Sequence, residues 1–157
     1  NYVISALAKK EAEQAGFVEC VYLDAVHHKY FQEGSSCNIF FVLKDKTIVT
    51  PELGDTILPG ITRKSVIVLA KEKGYKVEER PISVKEVQKK AVECFVTGTA
   101  AGISPMSSIT DLNGKKTVFG EGFGPVAKEL QHELKGRQYG SLEDPNHWNT
   151  VVIPGNK

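Results

Sequence analysis

The chain has 157 residues, 41% of them apolar and 25% charged, with a net charge of +1. That length supports one domain with its own core, and the composition excludes a disordered tail or a coiled coil. Lys and Arg are scattered among Asp and Glu, so no basic face invites nucleic acid or an anionic membrane, and no apolar run approaches a membrane span. Cys20, Cys37 and Cys94 are odd in number and far apart. They match neither a metal spacing nor a disulfide framework, which points to a reducing cytoplasm.

The first residues, "NYVISALAKKEAEQAG", place Ile4, Leu7, Ala8, Ala12 and Ala15 at helical spacing before a stop at Gly16. The period then changes to two. "VECVYLDA" and "KYFQEG" read as strands joined around His27 and His28, and "NIFFVL" with "TIVT" reads as a hairpin across Lys44–Lys46. After the loop "PELGDTILPG" comes a helix whose stripe runs through Val66, Leu69 and Ala70 to Gly74. "YKVEERPI" reads as a short strand, and Ser83 with Glu86 has capping-box spacing at the start of a short helix. "AVECFVT" is a buried-type strand, Asn113–Gly114 marks a hairpin turn, and "GPVAKELQHELKG" is a helix from Pro125 to a stop at Gly136. Hairpins mixed with helices argue for a mixed α/β domain rather than a doubly wound parallel sheet.

Three stretches carry chemistry. In "QEGSSCNIF", Glu33 is followed by Gly34, two serines, Cys37 and Asn38, so a carboxylate stands beside a small-residue loop that lets a ligand approach. In "ILPGITRKSV", a helix starts at Pro59–Gly60 with bare N–H groups near Ile61 and Thr62, a hydroxyl and Arg63, an entrance that suits an anion. In "FVTGTAAGIS", Thr97, Gly98, Thr99, Ala100 and Ala101 can expose consecutive N–H groups as an anion nest. Each alone is equally well a solvated turn or an ordinary helix start, and neither GxxxxGK[ST] nor GxGxxG occurs. Together they suit a ligand with a phosphate, a second acidic group and a basic ring atom. His27 and His28 read as a solvated hairpin tip, His132 as the polar face of its helix, and Cys37 lacks the partners of a thiol nucleophile.

In this order and spacing, "EGSSCNIF", "TILPGITRKSV" and "FVTGTAAGISP" resemble the class IV, fold-type IV pyridoxal-phosphate enzymes. The "GTAAGI" turn, "GEGFGPVAKELQ" and "EDPNHW" narrow the resemblance to the branched-chain amino acid aminotransferases. It covers nearly the whole chain and implies the pseudo-barrel cofactor domain of that fold, with residues 1–157 as the large C-terminal domain and the small N-terminal domain absent. It implies pyridoxal 5'-phosphate as cofactor, with Glu33 on the pyridine nitrogen, Tyr2 on the phenolic oxygen and Leu58 on the ring face. Ile61, Thr62 and Thr99 match the phosphate cup, and Thr99, Ala100 and Ala101 the turn that receives the substrate carboxylate. The implied reaction takes the amino group from Leu, Ile or Val to 2-oxoglutarate in a homodimer.

The family's Schiff-base lysine falls a few residues before its Asn–Tyr pair, and here that pair is Asn1–Tyr2. The expectation is therefore a piece of a longer enzyme, with the lysine just upstream and this chain inactive alone. A D-amino-acid aminotransferase or an aminodeoxychorismate lyase shares the glutamate and the "GITR" element. A non-catalytic domain that binds a phosphorylated ligand or assembles with partners also fits a chain without that lysine.

Overall fold

The computed structural model describes residues 3–152. Its elements, in chain order, are α1 (Val3–Gln14), β1 (Val21–Leu23), β2 (Phe31–Gly34), β3 (Asn38–Leu43), β4 (Ile48–Thr50), α2 (Ile61–Glu72) and β5 (Val77–Glu79). They continue with α3 (Val84–Lys90), β6 (Ala91–Gly98), β7 (Gly102–Pro105), β8 (Ser108–Thr110), β9 (Lys116–Val118) and α4 (Pro125–Gln138). The architecture is the expected mixed α/β one.

A five-stranded sheet in the order β5-β4-β3-β6-β7 forms the centre. Three of its pairings are antiparallel, while β4 and β5 run parallel. A parallel pair needs a crossover, and α2 supplies it. Every residue of β3 is buried, because both faces of the sheet are covered. On one face Phe40, Val42 and Ile48 pack with Val66 and Leu69 of α2 and Leu130 and Leu134 of α4, and the Phe40 ring stacks on Phe95. On the other face Ile39, Phe41 and Val49 meet Phe31 of β2, Val87 of α3, and Ile82 just before α3. The alternation of "NIFFVL" thus feeds two cores from one strand.

Local signals mostly act as read. Asp24 closes the β1–β2 hairpin by accepting from the N–H groups of His27, Lys29 and Tyr30, and both histidines are exposed. Those three bonds hold the Asp24 carboxyl well below the usual carboxylate range. Ser83 Oγ caps α3 at the N–H of Glu86, but the Glu86 carboxylate turns to Arg80 and Lys90, so half a capping box forms.

One expectation is corrected. Gly136 does not end the last helix; α4 continues to Gln138, and Gly140, at φ 70°, makes the reversal. Gly136 is glycine because the returning chain lies on it, with a Cβ there only 2.4 Å from Leu142 Cδ1. The helix α1 forms as read, and its apolar stripe lies open, with Leu7 64% exposed and Ala15 exposed. The side chain of Ile4 lies outside those described. No described helix is long and apolar enough to cross a membrane.

Candidate functional site

A cleft of about 840 Å³ opens where β3 starts and β6 ends. The end of β2 brings Glu33 to it, the start of β3 brings Asn38, the start of α2 brings Gly60, Ile61 and Thr62, and the end of β6 brings Thr97, Gly98 and Thr99. Leu58 joins them from the loop before α2. The three stretches singled out in the sequence therefore line one cavity. Two residues of the third do not reach it: Ala100 and Ala101 sit exposed on the turn beyond Thr99 and are not part of the cleft wall. Tyr2 lies outside the described residues.

Glu33 is half-buried and held on one side only. Its Oε2 accepts from the Leu58 N–H at 3.0 Å and from Asn38 Nδ2 at 3.3 Å. No hydrogen bond from a described residue falls on Oε1, which remains available to a ligand. Burial pushes the Glu33 carboxyl above its ordinary value, and the Leu58 N–H partly offsets this. No Lys, Arg or His is among the described residues of the cleft wall, so neutral donors alone support the charge.

The start of α2 is left open. Gly60 occupies the N-cap position without a side-chain cap, so the first-turn N–H groups can meet an anion. Arg63, grouped with this entrance by its place in the sequence, points the other way. It is buried, donates to the Pro51 carbonyl at 2.8 Å and pairs with Glu79 at 3.0 Å, tying α2 to β5. Thr97, 1% exposed, helps line the cleft, and its buried hydroxyl has no hydrogen-bond partner among the described residues. The exposed Leu58 and Ile61 side chains give the mouth an apolar rim.

The serine loop after Glu33 is braced from behind by Glu19, which sequence reasoning missed. Its Oε1 accepts from the N–H of Cys20, the N–H of Ser35 and the Ser35 hydroxyl, and its Oε2 lies 3.8 Å from Cys37 Sγ. Nothing local marks Glu19 for this, since the loop residues it braces, Ser35 and Cys37, are 16 and 18 residues away. Burial, with the Glu19 charge second, pushes the Cys37 thiol up to about 11. That agrees with its reading as a non-nucleophile. No cluster of His, Cys, Asp and Glu among the described residues could hold a metal.

The cleft thus combines a one-sided carboxylate, an uncapped helix start and a small-residue turn, the equipment for a phosphorylated ligand with a basic ring atom. The amino-transferase class IV family model matches residues 1–109, and the chain belongs to that family. Among branched-chain aminotransferases, it is 46% identical over 152 residues to branched-chain-amino-acid aminotransferase 5, chloroplastic, of Arabidopsis thaliana, covering 97% of this chain and 36% of that protein. It is 42% identical to a probable branched-chain-amino-acid aminotransferase of Staphylococcus aureus, covering 97% of this chain and 44% of that one. The crystal structure of the Escherichia coli branched-chain amino acid aminotransferase superposes with a TM-score of 0.82 at 38% identity, over 94% of this chain and 46% of that one. The branched-chain amino acid aminotransferase of Thermobaculum terrenum, solved in its PLP form, superposes with a TM-score of 0.78 at 35% identity, over 88% of this chain and 43% of that one. The chain spans less than half the length of each of these relatives.

Proposed function

We propose that residues 1–157 are the cofactor-holding domain of a pyridoxal 5'-phosphate-dependent transaminase that moves the amino group of Leu, Ile or Val to 2-oxoglutarate. The observation that carries the reading is Glu33: one carboxylate oxygen is tied down by two donors and the other is available, in a cleft that also contains an uncapped helix start. The residues fit the cofactor. Its pyridine nitrogen needs a carboxylate to keep a proton, and its phosphate needs converging N–H and O–H donors.

When bound, the cofactor supplies an electron sink for a carbanion at the substrate Cα. Glu33, through its open Oε1, would hold the proton of the ring nitrogen and so keep the ring an electron acceptor. The Leu58 side chain, exposed on the cleft wall, would cover one ring face and keep water from it. The N–H groups of Ile61 and Thr62 and the Thr99 hydroxyl would hold the phosphate, with the α2 dipole favouring its charge. By the resemblance, the N–H groups of Thr99 and Ala100, with Ala101 beside them on the exposed turn beyond the cleft wall, would take the substrate carboxylate, and Tyr2, outside the described residues, would be the partner of the phenolic oxygen.

Names among the relatives include chloroplastic and mitochondrial proteins, so the compartment is not a family property. Free Cys20, Cys37 and Cys94 support a reducing one, for which the cytoplasm remains our reading. The exposed Val3 and Leu7 of α1 support assembly with further protein, which we read as a homodimer.

The test is an absorbance titration of this chain with pyridoxal 5'-phosphate, alongside a Glu33→Ala variant. Saturable binding that the variant loses is the expected result. No binding by the unmodified chain, or binding indifferent to Glu33, would refute the site. In the whole protein, glutamate must form from leucine and 2-oxoglutarate.

A further inference from the structure

The Asn38 amide has no freedom left. Its Nδ2 donates to Leu58 O at 2.9 Å and to Glu33 Oε2 at 3.3 Å, which accounts for both hydrogens. A flipped amide would turn its oxygen on two acceptors. Behind it, Oδ1 presses on Gly60, where a Cβ would lie only 2.3 Å away. The backbone of Asn38 is pinned in turn, because it opens the buried strand β3 opposite Thr97 of β6. Asn38 therefore joins the carboxylate on β2, the loop before α2 and the N-cap of α2 to the most buried strand.

Glu33 needs such support. The titratable neighbours are acidic: Asp24, Tyr22 and Cys37 share the cleft wall, and Glu19 stands behind the serine loop. None supplies a counter-charge. The Leu58 N–H and the Asn38 amide are the two donors that stabilise the ionised form, and both fall on Oε2. We propose that Asn38 is the positioning residue of the site: it holds Glu33 ionised, and by occupying Oε2 it directs Oε1 to the ligand. The same tether sets the distance from the carboxylate to the start of α2, hence from the ring-nitrogen site to the phosphate site. This last point rests on the cofactor reading; the tether and its effect on ionisation do not.

The test follows the Glu33 carboxyl carbon by NMR through a pH titration of the chain, unmodified and as Asn38→Ala and Asn38→Asp. Losing a hydrogen bond to a charged group should raise the Glu33 midpoint by roughly 1–2 pH units in the alanine variant. The aspartate variant, of the same shape but with an oxygen turned on Glu33, should raise it further. Dissociation constants for 15N-labelled pyridoxamine 5'-phosphate should rise at least tenfold in both, with the ring-nitrogen shift moving toward the unprotonated value. A midpoint that stays put while the melting temperature falls would overturn the proposal, leaving Asn38 a purely structural residue. Unfolding of both variants would overturn it in the same way. If the unmodified chain fails to bind pyridoxamine 5'-phosphate, the cofactor reading falls, while the Glu33 midpoints still decide for or against the tether.

Discussion

Replacing Gly60 by alanine should damage the site without touching any group that meets a ligand. Gly60 has φ −61° and ψ 136°, a conformation open to alanine, so the backbone objects to nothing. The added Cβ would lie 2.3 Å from Asn38 Oδ1, closer than carbon and oxygen can approach. Asn38 cannot swing aside freely, since its Nδ2 is bound to Glu33 and to Leu58 O. Moving it forfeits one hydrogen bond to a charged group, worth ~1.5–3 kcal/mol, and one neutral bond, worth ~0.5–1.5 kcal/mol. Against this, replacing a glycine returns ~0.4–1 kcal/mol through the unfolded chain. The net loss is on the order of 2–3 kcal/mol, read by urea unfolding at neutral pH. Gly54→Ala is the control, because a Cβ there meets nothing within 4 Å and only the unfolded-state gain remains. If the two alanine variants prove equally stable, Asn38 is not held as described.

Glu33→Gln should stabilise the unliganded chain at neutral pH. The folded-state value of Glu33 is raised above its ordinary one by burial. Between those two values the folded chain keeps a proton that the unfolded chain has released, so stability falls as pH rises through that window. The glutamine variant lacks this loss, and denaturant midpoints of the two chains should converge near pH 4 and separate by pH 7; separation in favour of the native chain would contradict it. Cys37, with its thiol near 11, presents roughly one thiolate in several thousand at pH 7.5. Its labelling by iodoacetamide in the folded chain should therefore be far slower than in urea, and equal rates would show the thiol to be less buried than described.

The strands, the caps and three of the site stretches were legible because their signals are local. "NIFFVL" announces β3 by an unbroken apolar run, and Ser83 caps α3 three residues from its partner. What was not legible depends on distant partners. Arg63 looks like an anion ligand beside Thr62 until β5 brings Glu79 to it. Gly136 looks like a helix stop until the chain turns at Gly140 and lays Leu142 on it. The α1 stripe has the right period, yet periodicity states which face is apolar and not what covers it. Glu19 gives no signal at all, since its role exists only once β1 and β2 pair.

The burial of β3 on both faces has a consequence for how the cleft moves. Amides of a doubly covered central strand exchange with solvent only when the whole domain opens, whereas exposed turns exchange through small local fluctuations. The strand that anchors Asn38 belongs to the first kind, and the turn at Thr99 to Ala101 and the loop before Leu58 to the second. The cleft is thus a fixed back wall with a loose front. Asn38 is in place when the chain folds, and the loop that brings the Leu58 N–H to Glu33, with the turn at Thr99, is what an arriving ligand has left to order.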